Sequence, residues 1–300
     1  CEYLLPYRSL QGYPLTASGE VLAEKYRMFV CRDTAESLAE HIRRYNRRIA
    51  AGRNLLGWRK IKDFGIYNLS FRGHDCIDVA VWGADSLRAC GIPVKVEYCD
   101  AYRSYAGRHF YCVALDTAGR WEGFNAEIEV PLPYQWNIGS MMNVYRFCYG
   151  AQKDSPYFLR NKEEYLPALF ATPCIREVTA ERADVAEVCL PFPVKSSNRL
   201  AYLAAFQARG ELAPVTWGVI DSVRQEVHFA NTMLRRLYFP VYYEGKELRS
   251  FGSPFYVVRD TTVAEGFRVQ VFQTDTLDKK DVLLTRKFSR KPKMVRLAEE

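Results

Sequence analysis

The chain has 300 residues, enough for two domains or one large one, and its 48% hydrophobic and 26% charged residues are those of an ordinary globular protein with a sizeable core. No run approaches 18 apolar residues, which excludes a membrane-spanning helix, and no secretory signal opens the chain. The formal charge of +7 is local: residues 279 to 296 hold eight Lys/Arg against one acid, Asp281, and two Glu close the chain, so residues 1 to 278 carry only about +2.

The opening CEYLLPYR has no Met and reads as an internal stretch, so an upstream region is expected. Residues 16 to 50 read as helix, with Thr16 or Ser18 as cap and Leu22, Tyr26, Phe29 and Val30 at helical spacing. The stretch HIRRYNRRIAAGRNLLGWRKIK, which begins in this helix and runs past it, carries no acid from 41 to 62, and Arg43, Arg44, Arg47 and Arg48 share one face. A nucleic-acid stripe would look like this. A solvated helix face is the preferred reading, and no nucleic-acid partner is expected. Residues 77 to 90 form a second helix, ended by Gly91 and Pro93.

From residue 92 the period changes to two. IPVKVEYC, HFYCVALD and RWEGFNAEIEV read as strands, the last two joined across TAGR into a hairpin. Residues 131 to 184 are irregular and carry Pro131, Pro133, Pro156, Pro167 and Pro173, as a wrapping segment and linker would. From about 185 some seven short strands follow one another between turn residues, and YYEGKEL signals a hairpin. The expected fold is therefore α+β: residues 1 to 184 an α+β domain, its core at about 55 to 150 and a wrapping linker at 151 to 184, then a β-sandwich at 185 to 300.

Nine cysteines are scattered without any C-x-x-C, which excludes zinc-ribbon and thioredoxin-type sites. Cys90, Cys112, Cys148 and Cys189 fall in apolar strand or helix positions and are expected to pack as small hydrophobes. Cys76 is different, because FRGHDCIDVAVWG places it where a helix starts. Free N–H groups there favour a thiolate. A nucleophilic thiol needs a base and a group to orient that base. The hairpin offers His109 on its first strand and, opposite it on the second, the polar residues Asn125 and Glu127. The same residues also fit a buried thiol beside a surface histidine. A metal site of His74, Cys76 and His109 lacks a fourth ligand at sensible spacing. Asp75 and Asp78 oppose thiolate formation where they come close.

The stretch RGHDCIDVAVWGADSLRACGIPVKVEYC, followed by GRHFYCVALDTAGRWEGFN, resembles the core of the transglutaminase-like superfamily over roughly residues 70 to 126. The phrase Leu87-Arg88-Ala89-Cys90-Gly91-Ile92-Pro93 and the later Gly107-Arg108-His109 carry the likeness. It implies a papain-like core of helices plus antiparallel sheet, with the family's Cys at Cys76 and its His at His109. The third member, usually Asp, falls at Asn125, and Tyr111 stands where Trp is often found. CEYLLPYR and the segments PVTWGVI and YFPVYYEGKEL resemble multidomain members of gut anaerobes, which implies export to the periplasm or cell surface.

The expected function is a cysteine-dependent acyl transfer on amide or peptide bonds, hydrolysis rather than cross-linking, with no cofactor and no metal. The partner would be a peptide or protein substrate, with a glycan or cell-wall peptide as further candidates. The rival is a catalytically degraded relative serving as a peptide- or glycan-binding module, with Trp58, Trp82, Trp121, Trp136 and Trp217 as stacking platforms or, more simply, core residues.

Overall fold

The computed structural model describes residues 37–56, 76–99, 108–126, 141–207, 212–271, 282–284 and 293–295. The expected helix start at 16 and the residues Trp58, His74, Asp75 and Trp136 lie outside them. By compactness the chain divides into two units. One holds residues to Tyr98, His109–Asn137 and Arg146–Ala151; the other holds Cys99–Arg108, Ile138–Tyr145 and everything from Gln152. Residues 152 to 184, expected to link two domains, thus group with the second unit. Among the described residues no helix is long and apolar enough to cross a membrane.

The architecture corrects the expected fold class. The described residues are mostly β, built on two main antiparallel sheets, and do not form a helix-plus-sheet papain-like core. The physical reason lies in the period of the sequence. Only two long helices are described, α1 (Leu38–Leu56) and α2 (Cys76–Ala89). After them the described elements are strands, with single helical turns such as α3 (Pro156–Leu159) between some of them.

The first sheet has the order β3-β2-β1-β4-β5, with β1 Val94–Cys99, β2 His109–Leu115, β3 Trp121–Phe124, β4 Val144–Phe147 and β5 Ile175–Glu177. The β2–β3 hairpin is the one expected, with Cys112 opposite Phe124 and Leu115 opposite Trp121. Its turn is tied by Asp116, whose Oδ1 accepts from the N–H of Ala118 (2.9 Å) and of Arg120 (2.8 Å), while Gly119 takes φ +80°. These bonds hold the Asp116 carboxyl below the usual carboxylate range.

Helix α2 covers one face of that hairpin. The Cys112 thiol donates to the Ala80 carbonyl at 3.1 Å. Gly83 permits the approach: a Cβ there would sit 2.3 Å from Ala126 Cβ and 3.3 Å from Cys112 Sγ. The helix closes as expected at Gly91, whose φ is +86°. Gly91 N–H returns to Arg88 and Ile92 N–H to Leu87, the paired bonds of a Schellman end.

The second sheet has the order β13-β12-β10-β7-β8-β9-β6, with β11 attached to β10. Its strands are β6 Val185–Pro191, β7 Leu200–Phe206, β8 Leu212–Asp221, β9 Glu226–Met233, β10 Leu237–Glu244, β11 Glu247–Ser250, β12 Phe255–Arg259 and β13 Phe267–Val271. They match the expected runs closely, and Gly245 at φ +61° makes the expected β10–β11 turn. Two further short strands, β14 Val282–Leu284 and β15 Lys293–Val295, pair with each other.

Strands from both ends of the second sheet share one core: Val188 of β6, Leu203 of β7, Phe229 of β9, and Phe255 and Val257 of β12. The sheet is therefore curled, in a sandwich- or barrel-like way. Arg259, ending β12, pairs with Asp184 just before β6. Both are well exposed, so this ion pair marks the closure more than it stabilises it.

Strand β7 is buried on both faces, as its near-continuous LAYLAAF suggests. The second face is covered by part of the segment 152 to 184. Phe170 stacks on Tyr202 at 5.7 Å, and Glu164 accepts from the N–H of Arg199 and Leu200, both at 2.9 Å. Tyr145, preceding that segment, reaches the Val215 carbonyl with its hydroxyl at 2.5 Å. The segment 152 to 184 thus packs on strand β7 of the unit it belongs to.

Candidate functional site

Cys76 is the first residue of α2 and is half-buried. The 14-residue helix presents its unsatisfied N–H groups there. His109 is the first residue of β2 and half-buried. Its ring lies against Tyr111 at 6.0 Å with 18° between planes, so both project from one face of the strand. Asn125 directly follows β3. Continuing the printed register by one residue sets it opposite Tyr111, hence on the face of Tyr111 and His109. The hairpin thus brings His109 and Asn125 to the same face. Helix α2, which starts at Cys76, packs on the other face of the hairpin, against Cys112 and Ala126, which alternate with His109 and Asn125 along the two strands.

The Asn125 carbonyl accepts from the Asn46 side chain on α1 at 3.0 Å. Ile42 and Tyr45, beside Asn46, are fully buried, which anchors the helix. On the same side Arg43 and Arg44 both pair with Glu40, at 3.8 Å for Arg44, so part of the arginine stripe is neutralised within its own helix.

Tyr111 donates its hydroxyl to Glu97 Oε2 at 2.7 Å, and Arg146 donates to Glu97 Oε1 from Nε (2.9 Å) and Nη2 (2.5 Å). Glu97 and Arg146 are both buried. Arg146 also lies over the Trp121 ring at 4.7 Å. This chain of contacts fixes the Tyr111 ring against which His109 rests. Sequence reading passed over Glu97 and Arg146. The signal was present in VKVEYC, where two charges interrupt an otherwise apolar buried strand.

The thiols differ in environment. Cys112 and Cys148 are buried as expected. Burial, with Asp85 next in order, pushes the Cys112 thiol well up. Cys90 is only half-buried, and Cys189 is exposed, which corrects its assignment to the core. The reason is alternation: Ala186 and Val188 turn inward along β6, so Glu187 and Cys189 turn out. Of the tryptophans proposed as platforms, Trp121 is engaged by Arg146, and Trp217 packs against Tyr145 (6.1 Å) and Phe170 (5.4 Å). The side chains of Trp82 and Asp78 lie outside the described residues.

No known family model, curated protein or solved structure matches the chain.

Proposed function

We propose that the chain is a cysteine-dependent acyl-transfer enzyme acting on amide or peptide bonds, with water as the acceptor. The observation that carries the reading is the position of Cys76 as the first residue of a 14-residue helix, half-open to solvent, while Cys112 is sealed in the core. Helix-start amides favour the thiolate, and the thiolate is the nucleophile. The likeness of residues 70 to 126 to the transglutaminase-like superfamily supports the same residues. The reading rests on them and not on a papain-like fold.

In this mechanism His109 accepts the Cys76 proton as sulfur attacks the carbonyl carbon. His109 then returns that proton to the leaving amine, and a thioester forms. Water, deprotonated by His109, hydrolyses the thioester and restores the thiol. Asn125 orients the imidazole, as an amide can in Cys-His-Asn enzymes. The substrate is a peptide or protein, and export to the periplasm or cell surface belongs to the same proposal.

Asn125 in place of Asp, and Tyr111 in place of Trp, favour the second reading, a peptide- or glycan-binding module that has lost catalysis. One measurement separates the two. Site-resolved alkylation of the native chain at neutral pH is expected to modify Cys76 faster than Cys90 and Cys112. His109→Ala is expected to slow labelling of Cys76 markedly and Asn125→Ala to slow it less. Labelling of Cys76 at the rate of Cys112, indifferent to His109→Ala, would overturn the enzyme and leave the binding module.

A further inference from the structure

We propose that Cys189, Glu226 and His228 form a binding site for a zinc-class divalent cation on the outer face of the second sheet. The site is independent of Cys76 and its chemistry.

The antiparallel register of β6 and β9 sets Cys189 directly opposite His228. Period two then places Glu226 on the same face as His228, because Val227 and Phe229 between and beyond them turn into the core. Cys189 Sγ lies 3.8 Å from His228 Nε2, and His228 Nε2 lies 3.8 Å from a Glu226 carboxylate oxygen. All three ligand atoms fall within 4.8 Å of one another.

Both close approaches are made to the same ring nitrogen. A nucleophile–base–orienter relay uses the two imidazole nitrogens separately, one toward the thiol and one toward the carboxylate. Convergence on Nε2 instead describes three donors around one centre. With ordinary zinc bond lengths, a tetrahedral ion holds sulfur and nitrogen about 3.6 Å apart and nitrogen and oxygen about 3.4 Å apart. The separations found here need only small side-chain rotations to meet those values.

The donor set selects the ion. A thiolate with an imidazole excludes magnesium and calcium, which take oxygen ligands, and suits zinc and its neighbours. Three protein ligands leave a fourth position to water. The surroundings are consistent with a cation. Glu187 shares the outer face of β6 with Cys189, and Asp221 stands opposite Glu226 on β8. A nearby basic group, Arg224, is drawn to Asp221 at 3.9 Å. His228 and Glu226 side chains are each 40% exposed, so an ion has access from solvent.

The supporting backbone is a ladder of paired strands, β6 to β9 and β9 to β8. β8 runs close to β9 because Gly218 has no side chain: a Cβ there would meet the His228 carbonyl at 2.7 Å. Ligands carried on such strands hold their spacing better than ligands on loops.

The test uses the full chain, freed of metal, with Co2+ as spectroscopic probe and Zn2+ as competitor. One equivalent of Co2+ is expected to bind with a thiolate-to-cobalt absorption band, displaced by one equivalent of Zn2+. The band is expected to vanish in Cys189→Ser and to persist in Cys174→Ser. Zn2+ affinity is expected to fall roughly tenfold or more in His228→Gln and in Glu226→Gln. All four positions are at least partly exposed, and near-UV circular dichroism verifies that each variant is folded. A band that survives Cys189→Ser, absence of any thiolate band in the wild-type chain, or Zn2+ affinity indifferent to both His228→Gln and Glu226→Gln would each overturn the site.

Discussion

Glu177 sits where three donors meet a single carboxylate oxygen. Thr179 N–H approaches at 3.2 Å, the Asn143 side chain at 3.4 Å, and the Thr179 hydroxyl also donates. Those donors favour the charged form, yet burial outweighs them and pushes the carboxyl up to about 7 from 4.5. A folded-state pKa raised above the unfolded one means that the folded chain binds the extra proton. The stabilisation is full below about pH 4.5 and is lost as pH rises through about 7. Glu177→Gln keeps the acceptor and removes the charge. Its unfolding free energy is expected to match wild type near pH 4.5 and to exceed it at pH 8, by at most about 3 kcal/mol. Asp85, pushed up to about 6 by burial, acts in the same direction but cancels in the difference between variant and wild type. Denaturant melts across this pH range measure it, and parallel curves for the two chains would refute it. At this scale the sequence was partly legible. Cys112 reads correctly as core because it lies in an uninterrupted apolar strand. Cys189 does not, since a cysteine fits either face and only the paired strand decides which.

The fit of helix α2 to its hairpin depends on Gly83. Glycine inside a helix costs about 1 kcal/mol relative to alanine, so Gly83→Ala would stabilise an isolated helix. Here the added methyl would come 2.3 Å from Ala126 Cβ, far inside contact distance. Overpacking of this kind costs about 1–3 kcal/mol and outweighs the propensity gain. Gly83→Ala is therefore expected to lower the thermal midpoint, and Ala126→Gly in the same chain to recover part of the loss. Equal destabilisation with and without Ala126→Gly would show that the two positions do not meet. The ends of the elements were readable from Gly91, from the turn before Trp121 and from Gly245, because positive φ leaves a chemical mark. Both helices and the strands β6 to β13 were readable for the same kind of reason, local period, although β11 and β12 read as a single run. The register that gathers His109 with Asn125, or Cys189 with His228, was not. It depends on which strands pair, and no local pattern records that choice.

At the scale of the whole molecule, the segment 152 to 184 groups with the second unit. Five prolines between 131 and 173 suggested a linker, and linkers are where proteases cut first. Three of them, Pro156, Pro167 and Pro173, lie in this segment, and each has a structural task. Pro156 opens the short helix α3, Pro167 caps the single turn Ala168–Phe170, and the Pro173 carbonyl accepts from Gln152 N–H at 2.8 Å. The turn at 168–170 drives Phe170, fully buried, between Tyr145, Tyr202 and Trp217. Buried Glu164 satisfies the first N–H groups of β7. Removing this segment would bare the outer face of β7, where Tyr202 is fully buried. A protease must unfold that packing before it can cut there. Limited proteolysis of the full chain is therefore expected to leave a resistant β-rich fragment that retains residues 152 to 184. Mass spectrometry of the first stable product decides the matter. A fragment beginning near 185 would restore the linker and remove the segment from the core of the second unit.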